Sequence, residues 1–231
     1  MPSKAQQKPG PAAPVEKRSS LTPGQLVALV VLYVALVLAV DTLAAYGVRW
    51  PIRWAMFRWW PRIPLLSRFD CFKFVFWFVV PLLCCVWRLD WGYFGLKRWK
   101  RSDYYLLLGL AVTGVAVMLI IPHVPALRQI YPSVRGRSAQ AKWGFVSAQL
   151  VWTFSWLLGW EFLHRYVLLR PAAALWPRLG WLLVPLSEGV YHLQKPLIEA
   201  GGMVLLSIVL TQWTVRRRNM LLPFLVHLLL M

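Results

Sequence analysis

The sequence predicts an all-α protein: a polytopic transmembrane helical bundle of about seven spans, with an interfacial segment rich in Arg and Trp. Three observations predict it. Several apolar runs reach the roughly 20 residues needed to cross the hydrocarbon of a bilayer. Hydrophobic residues make up 59% of the 231, with 15 Trp and only 8 acidic residues, which is not soluble-domain composition. The 26 Lys and Arg, which leave a net charge of +18, sit mostly in connections between the apolar runs. There they meet lipid headgroups and attract anionic lipid by roughly 1 kcal/mol each. The expected partner of this charge is therefore a membrane surface and not nucleic acid, whose phosphates are the other common target of such a balance.

Taken in order, residues 1–20 form a basic, Pro-containing tail with Lys4, Lys8, Lys17 and Arg18, too poor in apolar surface to fold. Residues 21–142 hold N-terminal membrane helices and interfacial segments. The first span is expected at 21–48, with Thr22 as its cap and Pro23 in its first turn. It is too long for a signal-peptide core and is expected to remain. Asp41 interrupts it, and a carboxylate in mid-helix calls for a partner on another helix. Residues 49–68 alternate Arg with Trp, Phe and Pro and read as a segment lying on the membrane. A second span is expected at 72–86, an interfacial stretch at 87–100, and a third span at 104–121 with Ser102 and Asp103 as caps. Cys71, Cys84 and Cys85 show no metal-type spacing and predict no disulfide framework.

Residues 122–142, with Pro122, Pro125 and Pro132 among Arg128, Arg135 and Arg137, read as a non-helical divider. Beyond it lies a helical core, 143–231, with spans expected at 143–169, 172–190, 198–215 and 220–230. Ionisable residues enter these runs from three separate places. Glu161, His164 and Arg165 stand three and four residues apart on one helix face. His192 and Glu199 flank Pro196, which breaks or restarts the helix between them. His227 lies among leucines in the last run, which Asn219 is placed to cap. An isolated carboxylate in hydrocarbon is costly unless paired, so Arg165 one turn from Glu161 is either a structural ion pair or part of a site. Glu, Arg and two His supplied by three lipid-buried segments comprise a general base, a proton carrier and oxyanion stabilisers.

The order Glu161-x-x-x-Arg165, then His192-x-x-Lys195-Pro196-x-x-Glu199, then Pro223-x-x-x-His227 resembles the CAAX protease and bacteriocin-processing family, also called CPBP or Abi intramembrane peptidases. The likeness covers residues 143–231, and Trp91-Gly92-Tyr93-Phe94-Gly95-Leu96 is similar to that family's upstream region. The resemblance implies an intramembrane endopeptidase acting on a membrane-associated peptide or protein. Glu161 and His192 activate water, Arg165 fixes Glu161, and His227 receives the oxyanion, with Glu199 and His164 as auxiliaries. It also implies one of two chemistries: a glutamate-type site, or a divalent metal such as zinc held by Glu161, His192 and His227. Four positions depart from the family's pattern: Trp160 replaces the first glutamate of a pair, Tyr166 a small residue, Glu188 a Phe, and Met231 the oxyanion partner. The expected location is the cell (inner) membrane. The competing expectation is a catalytically inactive membrane scaffold or immunity protein that keeps the polar cluster to knit helices together. A transporter would ordinarily show repeated halves, and none is apparent.

Overall fold

The structure, a computed structural model, describes residues 21–49, 68–95, 99–130 and 138–230. Residues 1–20 and 50–67, which carry the expected basic tail and nearly all of the expected interfacial segment, lie outside the described residues, as does Met231. Among the described residues every regular element is a helix and none is a strand. Four helices are long and apolar enough to cross a membrane: Pro23–Ala45, Cys71–Arg88, Arg101–His123 and Leu197–Arg217. Large apolar side chains point outward, among them Leu32 at 67% and Leu119 at 68% exposure. Only 6% of the apolar window in the third of these helices is buried. A protein that turned such faces to water would aggregate, so lipid is the solvent they fit.

Helix α1, Pro23–Ala45, begins as its sequence dictates. The Thr22 hydroxyl accepts from the Gln25 amide, and the Gln25 side chain accepts from the Thr22 amide, a reciprocal capping box. Helix α2 runs from Cys71–Lys73 through a π-helical stretch, Phe74–Val79, into Val80–Cys85. Helix α3, Arg101–Ile120, starts with Asp103 as an acceptor for the Lys100 amide. The connection after it is partly helical, contrary to the expected irregular divider: Pro125–Ile130 forms a short α4, for which Pro125 at the first turn is preorganised. Ser138 caps α5, which extends from Ala139–Glu161 through a π-helical turn, Phe162–Leu168, to Leu169–Leu175.

The span expected at 172–190 is not one helix. Helix α5 ends at Leu175, Pro177 and Gly180 occupy a turn, and α6 covers only Leu183–His192. Proline removes an amide donor and forces the turn, which hydropathy alone conceals. Pro196 then stops α6 and starts α7, Leu197–Arg217, so His192 ends one helix and Glu199 lies in the first turn of the next. Helix α8, Leu221–Leu230, is capped by Asn219, whose side-chain oxygen accepts from the Leu222 amide. Gly95, in the left-handed region at φ 76°, places its turn directly against Asn219, and the Tyr93 carbonyl accepts the Met220 amide.

The main core joins α1, α2, α5 and α6 through Val37, Leu38, Trp77, Leu157, Trp160 and Val184. Helices α2 and α5 meet closely at Gly159, where a Cβ would stand 2.8 Å from that of Trp77. Small residues and polar ties matter here because apolar burial does not favour protein over lipid. One such tie answers the demand made by Asp41. Its carboxylate accepts from Lys73 at 3.1 Å and from the Tyr191 hydroxyl at 2.7 Å, drawing α1, α2 and α6 together. Lys73 also lies 4.9 Å from the Trp77 ring centroid. Lys73→Met, which removes the cation and leaves the buried carboxylate, should cost about 3 kcal/mol. Thermal unfolding in detergent, read by tryptophan fluorescence, checks this, and Lys73→Met/Asp41→Leu should recover part of the loss.

Candidate functional site

Glu161 ends the α-helical part of α5, and His164 and Arg165 follow within its π-helical turn. Such wide turns occur where a side chain must be re-aimed. Helix α6 packs antiparallel to this segment: Trp160 meets Tyr191, His164 meets Ser187, and Arg165 meets Glu188. Helix α8 supplies His227 to the same place.

The centre of the group is the Arg165 guanidinium. One of its terminal nitrogens, Nη1, lies 3.0 Å from Glu161 Oε2 and 2.7 Å from Glu188 Oε1, and Nη2 reaches Glu188 Oε2 at 3.5 Å. All three side chains are 0% exposed. The other Glu161 oxygen accepts a hydrogen bond from His227 Nδ1. Ser207 of α7, also buried, lies beside Glu188. One guanidinium is thus shared by two buried carboxyl groups, and His227 bonds the second oxygen of one of them. Such pairing is what makes buried charge tolerable.

His164 faces inward and is fully committed. Its Nδ1 lies 3.0 Å from the Trp160 carbonyl oxygen, which can only accept, so the proton sits on Nδ1. Its Nε2 then accepts from the Ser187 hydroxyl at 3.1 Å. This contact pins α6 against α5 one residue before Glu188.

His192 lies at the edge of the group. Trp160 lies tilted against His164 with centroids 4.2 Å apart and contacts the His192 ring edge-on at 5.9 Å. Trp160, which stands where the resembled family has a carboxylate, thus forms an aromatic wall between the two histidines. No hydrogen bond joins His192 to Glu161, whose oxygens are directed at Arg165 and His227. Glu188, His227, Lys195 and His164 are near enough to His192 to act on its charge. Two ring nitrogens, Nδ1 of His192 and Nε2 of His227, are buried and have no hydrogen-bond partner among the described residues. Glu199 pairs with Lys195 at 3.9 Å in the first turn of α7.

The structure therefore brings Glu161, Arg165 and His227 into direct contact and sets His192 and His164 beside them. The ligand set Glu161, His192 and His227 expected for a metal does not fit. Among the described residues no three His, Cys, Asp or Glu side chains are placed to hold an ion. Arg165 already supplies the cation that Glu161 needs. Glu188 is the member of the cluster that sequence reasoning missed as a partner of Arg165. The pair is 23 residues apart, and the only signal was a glutamate one turn before His192.

Fold and site together define a class: an all-α membrane protein with a buried polar cluster built from three of its helices. No family model, curated protein or solved structure matches the chain.

Proposed function

We propose that the chain is a multi-pass protein of the cell (inner) membrane that hydrolyses peptide bonds in membrane-associated peptides or proteins, in the manner of CPBP-type intramembrane peptidases. The observation that carries this reading is the pair of buried ring nitrogens on His192 and His227 without a hydrogen-bond partner among the described residues, set around the Glu161–Arg165–Glu188 group. A buried polar atom without a partner costs about 1–3 kcal/mol, and a reacting water and a substrate carbonyl oxygen are partners of the right chemistry. His192 Nδ1 takes a proton from water as its oxygen bonds the scissile carbon. The carbonyl electron pair moves onto oxygen and is received by Nε2–H of His227, whose imidazolium is oriented and balanced by Glu161. His192 returns the proton to the leaving nitrogen as the carbon–nitrogen bond breaks. Arg165 holds both carboxylates in place, and every proton in this route is carried by these side chains.

Protein reconstituted in liposomes and offered membrane-tethered fluorogenic peptides tests this proposal. Wild type should cleave with or without chelator, Glu161→Gln should lose about 10²-fold or more, and His192→Ala should be inactive. Full activity in His192→Ala would refute the assignment. The scaffold reading is favoured by one observation, the complete burial of Glu161, Arg165 and Glu188 against one another, and in that case none of the variants would alter a measurable reaction.

A further inference from the structure

The charge that supports His192 comes from a residue the reaction outlined above has used only as a partner for Arg165. We infer that Glu188 is a positioning residue for hydrolysis: held by Arg165 one turn before His192, it supplies the negative charge that stabilises the His192 imidazolium formed when water is deprotonated. This rests on the proposed hydrolase reading and deepens it.

The two other glutamates of the core have cationic partners of their own. Glu161 has one oxygen on Arg165 and the other on His227, and no bond connects it to His192. Glu199 lies beyond the break at Pro196 and faces Lys195. Glu188 and His192 instead occupy positions i and i+4 of one helix, Leu183–His192, and so share a face. Arg165 holds Glu188 by both oxygens, at 2.7 and 3.5 Å, and the neighbouring Ser187 is fixed by His164. None of these reaches His192, whose Nδ1 is left for water.

The charges facing His192 are Glu188 and Lys195 from its own segment, His164 from α5 and His227 from α8. Glu188 is the one anion among them. The Arg165 cation beside it is shared with Glu161, so it is not committed to Glu188 alone. Trp160 closes the remaining side with an aromatic ring and contributes no charge. Because an anion favours the protonated imidazole, its removal makes His192 a weaker base. The sign is thus determined: without Glu188, His192 loses its proton at lower pH, and the acid limb of the rate profile moves to lower pH while the maximal rate falls.

The experiment is the pH–rate profile of full-length protein in liposomes for wild type, Glu188→Gln and Glu188→Asp, with His192→Ala as control and thermal unfolding recorded for each. Glu188→Gln should lower kcat roughly tenfold with KM little changed and shift the acid limb down by about one pH unit. Glu188→Asp should restore most of both. A folded Glu188→Gln protein whose acid limb coincides with wild type overturns the inference, even if its rate has fallen. Should Glu188→Gln fail to fold, the limb is read in Glu188→Ala, which also removes the charge, and a limb there that coincides with wild type overturns the inference too. Undiminished cleavage by His192→Ala, or none by wild type, would instead remove the hydrolase reading and this inference with it.

Discussion

Arg165→Leu should be the most damaging single substitution in the chain, lowering thermal stability so far that little folded protein survives extraction into detergent. The guanidinium is the shared partner of Glu161 and Glu188, and all three side chains are fully buried. Removing one member of a buried ion pair costs about 3–5 kcal/mol, because the remaining charge stays desolvated. Here two carboxylates would be affected at once, with His227 the remaining hydrogen-bond partner of Glu161. Arg165→Lys should be nearly as harmful to activity but milder for folding, since a point charge replaces a planar fork that spans two acceptors. The triple variant Arg165→Leu/Glu161→Leu/Glu188→Leu separates charge from packing. A hydrophobic replacement of a whole buried ionic group is often neutral or stabilising, so this variant should regain much of the lost stability while having no hydrolytic activity. Unfolding followed by the fluorescence of the buried tryptophans, Trp77 and Trp160 among them, measures all three.

His227→Ala is expected to be the opposite kind of lesion, large in rate and small in stability. Glu161 keeps Arg165 at 3.0 Å when the imidazole is removed, so the carboxylate does not become an orphan. In the proposed reaction, what disappears is the donor to the developing oxyanion, and losing one such donor lowers kcat by about 10²–10³-fold. The check is kcat and KM measured separately on a well-folded variant. A fall in kcat at nearly constant KM marks a contact made in the transition state, whereas a scaffold histidine would register in the unfolding temperature alone.

The parts of the fold that could be read along the chain were those decided within a few residues. Thr22 and Pro23 announce the start of α1, Asn219 caps α8, and Pro196 separates His192 from Glu199, because capping and proline sterics act locally. Asp41 could be assigned a partner on another helix from the cost of burying a carboxylate, although neither Lys73 nor Tyr191 could be named, since they lie on helices far away in sequence. Glu161 and Arg165 were legible as an i, i+4 pair. Their tertiary partners were less so. His227 was expected at the same place on the ground that lone ionisable groups in lipid converge, and it contacts Glu161 across 66 residues. Glu188 was noticed only as a departure from a pattern, because the antiparallel packing of α6 on α5 that brings it to Arg165 depends on the turn through Pro177 and Gly180. That same turn was hidden by the high hydropathy of 172–190, which reads as one span when only the run of apolar residues is counted.

The zinc set, one of the two chemistries the resemblance implied, does not form for a related reason. Spacing places Glu161, His192 and His227 on three elements and Arg165 one turn from Glu161, but it cannot show that Glu188 shares Arg165 or that Trp160 stands against His192. With both carboxylates set on Arg165, the ring nitrogens left without a hydrogen-bond partner among the described residues are Nδ1 of His192 and Nε2 of His227.

Mass spectrometry of a pool of membrane-associated peptides incubated with the reconstituted protein in ¹⁸O-water bears most directly on whether this buried cluster hydrolyses peptide bonds. Wild type should release fragments whose new carboxyl termini carry the heavy isotope, and His192→Ala should release none. Intact peptides from wild type, or the same labelled fragments from His192→Ala, would contradict a hydrolytic site at the Glu161–Arg165–Glu188 group.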